Sequence, residues 1–156
     1  MTTAALTLQD FAGKFEAIQQ YVTTEVLELI NRSETFKTQI RTYNNFATPV
    51  REVVLVPVGS PGAGAASFNI PVADSTGLVT SENRGYATFG ANRINTAEGF
   101  VFVVSHELGH FQAEGPGSIV GNARDSAYAA SDRTAYENAC HLTEGYARLA
   151  DRKSVV

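Results

Sequence analysis

A chain of 156 residues, 44% of them apolar, is the size of one domain and can bury a sizeable core. Its net charge of −4 leaves no basic footprint for a nucleic acid, so nucleic-acid binding is not expected. No run approaches the roughly 18 apolar residues of a membrane span, and Cys140 as sole cysteine excludes an internal disulfide.

Residues 1–45 are expected to be helical. In "TLQDFAGKFEAIQQYVTTEVLELIN", Thr7 to Asn31, the apolar positions Phe11, Phe15, Ile18, Val22, Leu27 and Ile30 recur at roughly helical spacing. Thr7 and Asp10 stand as a capping box does. A second helix, or a continuation of the first, covers Ser33 to Tyr43. Residues 51–95 read as strands and loops. "REVVLVPV", Arg51 to Val58, is short, β-branched and ends near Gly59, as a strand does. "GSPGAGAA" is expected to be a flexible loop. "SFNIPV", Ser67 to Val72, is a weaker strand with Pro71 near its end. "GYATFGANRIN", Gly85 to Asn95, reads as an extended segment at a sheet edge, where Gly90 marks a bulge or a close backbone approach.

Thr96 can cap a helix over 97–112, ended by Gly115, Pro116 and Gly117. A loop to about Ser131 leads to a last helix over 132–151, which carries Glu137, His141 and Glu144. Helix, strands, central helix, loop and final helix make an α+β pattern in a single domain.

The stretch "FVFVVSHELGHFQAEG", Phe100 to Gly115, sends an apolar run into His106, Glu107 and His110. Residues four apart share a helix face, so both imidazoles can grip one metal ion. Glu107 is turned about 100° from His106 around the axis. It can lean over the metal without ligating it, accept a proton from the attacking water and pass it to a leaving amine. This is the H-E-x-x-H arrangement of zinc peptidases. Phe100, Val104, Leu108 and Phe111 form the opposing, core-facing stripe, and Gly109 leaves room beside His110.

A catalytic zinc takes three protein ligands and keeps one position open. Glu137, His141 and Glu144 fall at i, i+4 and i+7 of the last helix, and by spacing any of them can meet the metal. Tyr128, Tyr136 and Tyr146 are candidates to donate a phenol to a tetrahedral intermediate, Tyr146 foremost because it neighbours Glu144.

"SHELGH" together with "HLTEGYARLA" resembles the zincin metallopeptidases, and among them the gluzincins. The resemblance covers about Gly85 to Asp151. It implies a small twisted mixed sheet with an active-site helix and a C-terminal ligand helix. It implies Zn²⁺ as cofactor, held by His106, His110 and Glu144, with Glu137 as the alternate third ligand and Glu107 as catalytic base. His141 then orients a ligand, donates to the substrate oxyanion, or is itself the third ligand. The edge strand that aligns a peptide in that family would correspond to Tyr86–Ile94.

The activity so implied is hydrolysis of a peptide or protein substrate. Small size, no visible propeptide and no disulfide resemble compact effector or toxin domains, for which an inhibitor or immunity protein is a natural partner. A start without signal-peptide regions favours a cytoplasmic or delivered effector over a classically secreted enzyme. The alternative from another class is a non-catalytic or degenerate zinc-binding module that binds a protein partner. A deformylase also uses H-E-x-x-H but needs a cysteine ligand upstream, and Cys140 lies downstream.

Overall fold

The computed structural model describes residues 4–45, 52–69, 86–114, 126–127 and 129–155. Within them the chain is α+β, with a three-stranded sheet and predominantly helical surroundings. The N-terminal stretch is not one helix. It forms two 3₁₀ segments, Leu8–Phe11 and Glu16–Tyr21, and then helix α1, Thr24–Asn31. The Thr7–Asp10 capping box forms, with the Thr7 amide donating to Asp10 Oδ2 at 2.8 Å. Thr23 restarts the chain as a new helix, its hydroxyl accepting the Val26 amide at 3.2 Å. The apolar periodicity survives these breaks because a 3₁₀ turn repeats every three residues. Phe11, Phe15, Ile18 and Ile30 are all fully buried.

Helix α2, Glu34–Asn45, follows after Ser33, whose hydroxyl accepts the Phe36 amide at 3.1 Å. Strand β1 is Val54–Val56, β2 is Ala66–Asn69 and β3 is Tyr86–Gly90. Their order is β1-β3-β2. β1 runs parallel to β3 with Leu55 opposite Phe89, and β2 runs antiparallel with Phe68 opposite Ala87. The sheet is therefore mixed, and β3 is its centre rather than an edge. In so small a sheet a central strand can still alternate, burying Ala87 and Phe89 while Tyr86 and Thr88 stay half-exposed. The extended reading of Gly85 to Asn95 also stops short, because Ala91–Ile94 closes into a four-residue helix, α3. The expected strand over Ser67 to Val72 is found as far as Asn69, and its last residues lie outside the described ones.

The glycine-rich loop is built of turns and is tied to the sheet. Ala65 and Ala63 carbonyls accept the amides of Gly90 and Asn92 at 2.7 and 2.9 Å. A Cβ on Gly90 would lie 2.3 Å from the Ala63 oxygen, so Gly90 is the close backbone approach its place in the strand suggested.

Helix α4, Ala97–Glu114, begins at Thr96, whose hydroxyl accepts the Gly99 amide at 3.1 Å. It is two residues longer than expected, and the Gly115–Gly117 stop lies outside the described residues. Helix α5, Arg133–Val155, packs along α4. Asp132 opens it, with Oδ1 accepting the Ala135 amide at 3.1 Å. Phe100, Val104, Leu108 and Phe111 of α4 are buried as a stripe. Rings join that stripe to the rest of the core: Phe11 lies edge-on to Phe100 at 6.3 Å, Tyr43 to Phe111 at 5.0 Å, and Phe68 of β2 reaches Phe111 at 5.9 Å. No helix of the described residues is long and apolar enough to cross a membrane.

Candidate metal centre

Burying the Phe100–Phe111 stripe turns the other side of α4 outward, toward α5. His106 and His110 stand there one turn apart, their rings 5.0 Å between centroids and inclined at 73°. Two contacts fix this stretch of α4. The fully buried Gln39 of α2 donates Nε2–H to the Ser105 carbonyl at 3.1 Å, immediately before His106. Phe111, immediately after His110, is clasped between Tyr43 and Phe68. The histidines are thus carried by backbone that packing holds on both sides.

Glu144 of α5 comes down between them. Its Oε1 lies 3.3 Å from His106 Nε2 and its Oε2 lies 3.1 Å from His110 Nε2. One ligand atom from each of the three residues falls within a sphere of mutual distances no greater than 4.8 Å. Glu107 and Glu137 are not members of this group. Charge-assisted N–H···O contacts usually close to about 2.7–2.9 Å. Donors on a tetrahedral zinc, roughly 2.0–2.2 Å from the ion, stand about 3.3–3.6 Å apart. Separations of 3.1 and 3.3 Å suit a direct N–H···O contact as well as they suit donors gathered around one ion, and the donor set of two imidazoles and one carboxylate is one that fits zinc.

Glu107 is 7% exposed and sits at the same cleft. Burial pushes its carboxyl above the ordinary range. His110 and His106 pull it back, Glu144 pushes it further up and Arg93 lowers it, the net direction being upward. A carboxylate held in this way has raised proton affinity beside the histidines, which is what a general base needs. The cleft has a volume of about 620 Å³ and is lined by Ala66, Phe102 and Val103 besides the charged residues. Arg93 of α3 and Arg148 of α5 also line it.

The other candidates from the sequence fall elsewhere. Glu137 is exposed and pairs with Arg133 at 2.9 Å. His141 is exposed on α5. Tyr136 belongs to a separate hollow with Ala127, Ser131 and Arg133. Tyr128 lies outside the described residues, and Tyr146 is placed only as a position on α5. Glu137, His141 and Glu144 do share a side of one helix, but seven residues span about 10 Å of axis. Two crossing helices meet the His106–His110 turn at one level, and that level is Glu144. Sequence reasoning missed Arg93, Arg148 and Phe102. Arg148 was findable, since it stands i+4 from Glu144 and reaches its Oε1 at 3.5 Å. Arg93 was not, because its position depends on the unexpected α3 turn.

Comparison with protein-family models, with curated proteins and with solved structures gives no significant match.

Proposed function

We propose that this chain is a zinc-dependent metallopeptidase of the zincin type, with a gluzincin-like ligand set of His106, His110 and Glu144. The observation that carries the reading is the Glu144 carboxylate straddling the two Nε2 atoms of an H-E-x-x-H pair at 3.3 and 3.1 Å, with Glu107 buried alongside. Zinc, when bound, supplies a Lewis acid that lowers the pKa of an attacking water and polarises the scissile carbonyl. The chain's own residues do the remainder. His106 and His110 offer neutral imidazole nitrogens, and Glu144 supplies the negative charge. Glu107 takes the water's proton and returns it to the leaving amine. β2, an edge strand among the described residues, borders the cleft through Ala66 and takes the substrate-aligning role that the zincin resemblance implied for Tyr86–Ile94.

The test compares wild type with Glu107→Gln, which keeps size and hydrogen bonding but cannot accept the proton. Both should bind close to one zinc per chain, and His110→Ala should lose it. At matched zinc content, cleavage of a peptide library should fall by roughly 10²–10⁴-fold in Glu107→Gln. Full zinc retention in His110→Ala would remove the metal centre. Equal cleavage by both zinc-loaded proteins would remove Glu107 from the chemistry, and zinc uptake with no cleavage by wild type would favour a non-catalytic zinc module.

A further inference from the structure

We infer that the cleft beside His106, His110 and Glu144 is built for a ligand carrying a carboxylate, which Arg93 and Arg148 anchor. The inference rests on the metallopeptidase reading both for the location of the reacting bond and for the ion that leaves the cleft net positive, while the arginine forks that would hold the carboxylate are the cleft's own.

Four charged side chains line the cleft besides the histidines: Glu107, Glu144, Arg93 and Arg148. The glutamates are engaged within it. Glu144 lies between the two imidazoles, and Glu107 is buried at the cleft. The arginines are held much more loosely. The Arg148 contact with Glu144 is made through Nε at 3.5 Å, and 70% of the Arg148 side chain is exposed. An exposed pair of that length contributes little. Arg93 donates from Nη1 to the Gly64 carbonyl at 3.4 Å, again at an exposed site. The two come from different elements, α3 and α5, yet converge on one cleft of about 620 Å³.

A guanidinium has five N–H donors in a planar fork that fits a carboxylate bidentately, and one long contact uses few of them. Charge balance points the same way. The two arginines offset the two glutamates, so a divalent ion in the site leaves the cleft net positive. An anionic ligand is drawn into such a cleft and a cationic one is repelled. Phe102, 49% exposed in the same lining, gives an apolar surface for the neighbouring part of the ligand. The carboxylate has two possible sources in a peptide: an acidic side chain or a free C-terminus.

The experiment uses zinc-loaded Glu107→Gln, so that bound peptide is not consumed. Degenerate peptide pools compete for binding: neutral and amidated, amidated with a fixed glutamate, neutral with a free C-terminal carboxylate, and amidated with a fixed lysine. At least one carboxylate pool should bind roughly tenfold or more tightly than the neutral amidated pool, and the lysine pool should bind worst. A preference for the glutamate pool names a side chain, and a preference for the free-carboxylate pool names the C-terminus. Arg93→Gln and Arg148→Gln should each reduce the preference while zinc content and circular dichroism stay unchanged. Should Arg148→Gln disturb zinc through Glu144, Arg93→Gln decides, because α3 carries none of the proposed ligands. Equal binding of the neutral pool, no binding of any pool, or a preference that survives both substitutions overturns the inference. Zinc content of the wild type separates this from the metal reading: if no zinc binds, that reading falls, and a carboxylate preference that the metal-free protein shows and Arg93→Gln loses would rest the anchor on the arginine forks alone, while its absence overturns the inference.

Discussion

At Glu107 the proposed chemistry and the stability of the fold conflict. Its carboxylate is buried, and burial disfavours the charged form, so its folded-state pKa is raised. The sign of the stability effect follows. Below the ordinary carboxylate range the group is protonated both folded and unfolded, and there is no penalty. As pH rises through that range and past the raised folded value, the unfolded chain ionises more readily, and the folded state is penalised. Glu107→Gln has no charge to bury. The metal-free variant should therefore melt at a higher temperature than metal-free wild type at neutral pH, and the gap should close as the solution is acidified toward the ordinary carboxylate range. Thermal melts across that pH series, in chelator, check it. A variant that is less stable than wild type at neutral pH would mean that the carboxylate is a structural partner rather than a strained base. A bound cation attracts the Glu107 charge, so added zinc should shrink the variant's advantage.

At the scale of elements, Gly90 joins β3 to α3 where the Ala63–Ala65 backbone presses against it. A methyl group there would lie 2.3 Å from one carbonyl oxygen and 2.5 Å from another, both backbone. Gly90→Ala should cost roughly 1–3 kcal/mol or more in denaturant unfolding, since backbone cannot yield as a flexible side chain does. An unchanged midpoint would show that the glycine-rich loop is not packed on the sheet as described. Gly90 was legible in the sequence because a glycine inside a strand pattern has few purposes. The H-E-x-x-H pair was legible for a similar reason: its geometry is set by one helix and by local spacing. So was the buried stripe from Phe100 to Phe111. The place of β3 was not legible, because strand order is a long-range property: Leu55 pairs with Phe89, and alternation along β3 looks the same at the centre of a small sheet as at its edge. Glu144 and Glu137 could not be separated by spacing either. They share a side of α5, and only the axial level at which α5 crosses α4 brings one of them to the histidines. The break of Thr7–Asn31 into 3₁₀ turns escaped detection because the buried positions keep nearly the same period in both helix types.

For the whole molecule, a metal ion at the proposed centre would also be a fastening. Among the described residues, those by which α5 reaches the core are small, Ala139 and Ala147, so their apolar contribution is modest. An ion held by His106 and His110 of α4 and by Glu144 of α5 would clip the two helices at one level. Binding that favours the folded state adds about 4 kcal/mol when free ligand is a thousandfold above its dissociation constant. For a chain of this size each kcal/mol moves the melting temperature by roughly 2–4 °C. Zinc-loaded protein should therefore melt on the order of 10 °C above protein treated with chelator, and His110→Ala should be insensitive to both. The competing arrangement is a purely ionic one, in which protonated imidazoles pair with Glu144 and no metal takes part. The two differ in what removes them. An ion pair is screened by salt. Metal ligation is undone by a chelator that strips the ion. The chelator-induced drop in melting temperature should thus persist at high ionic strength. A drop that is absent throughout, with stability that falls as salt is added and loses that dependence in Glu144→Gln, would establish the ion pair and remove the metal.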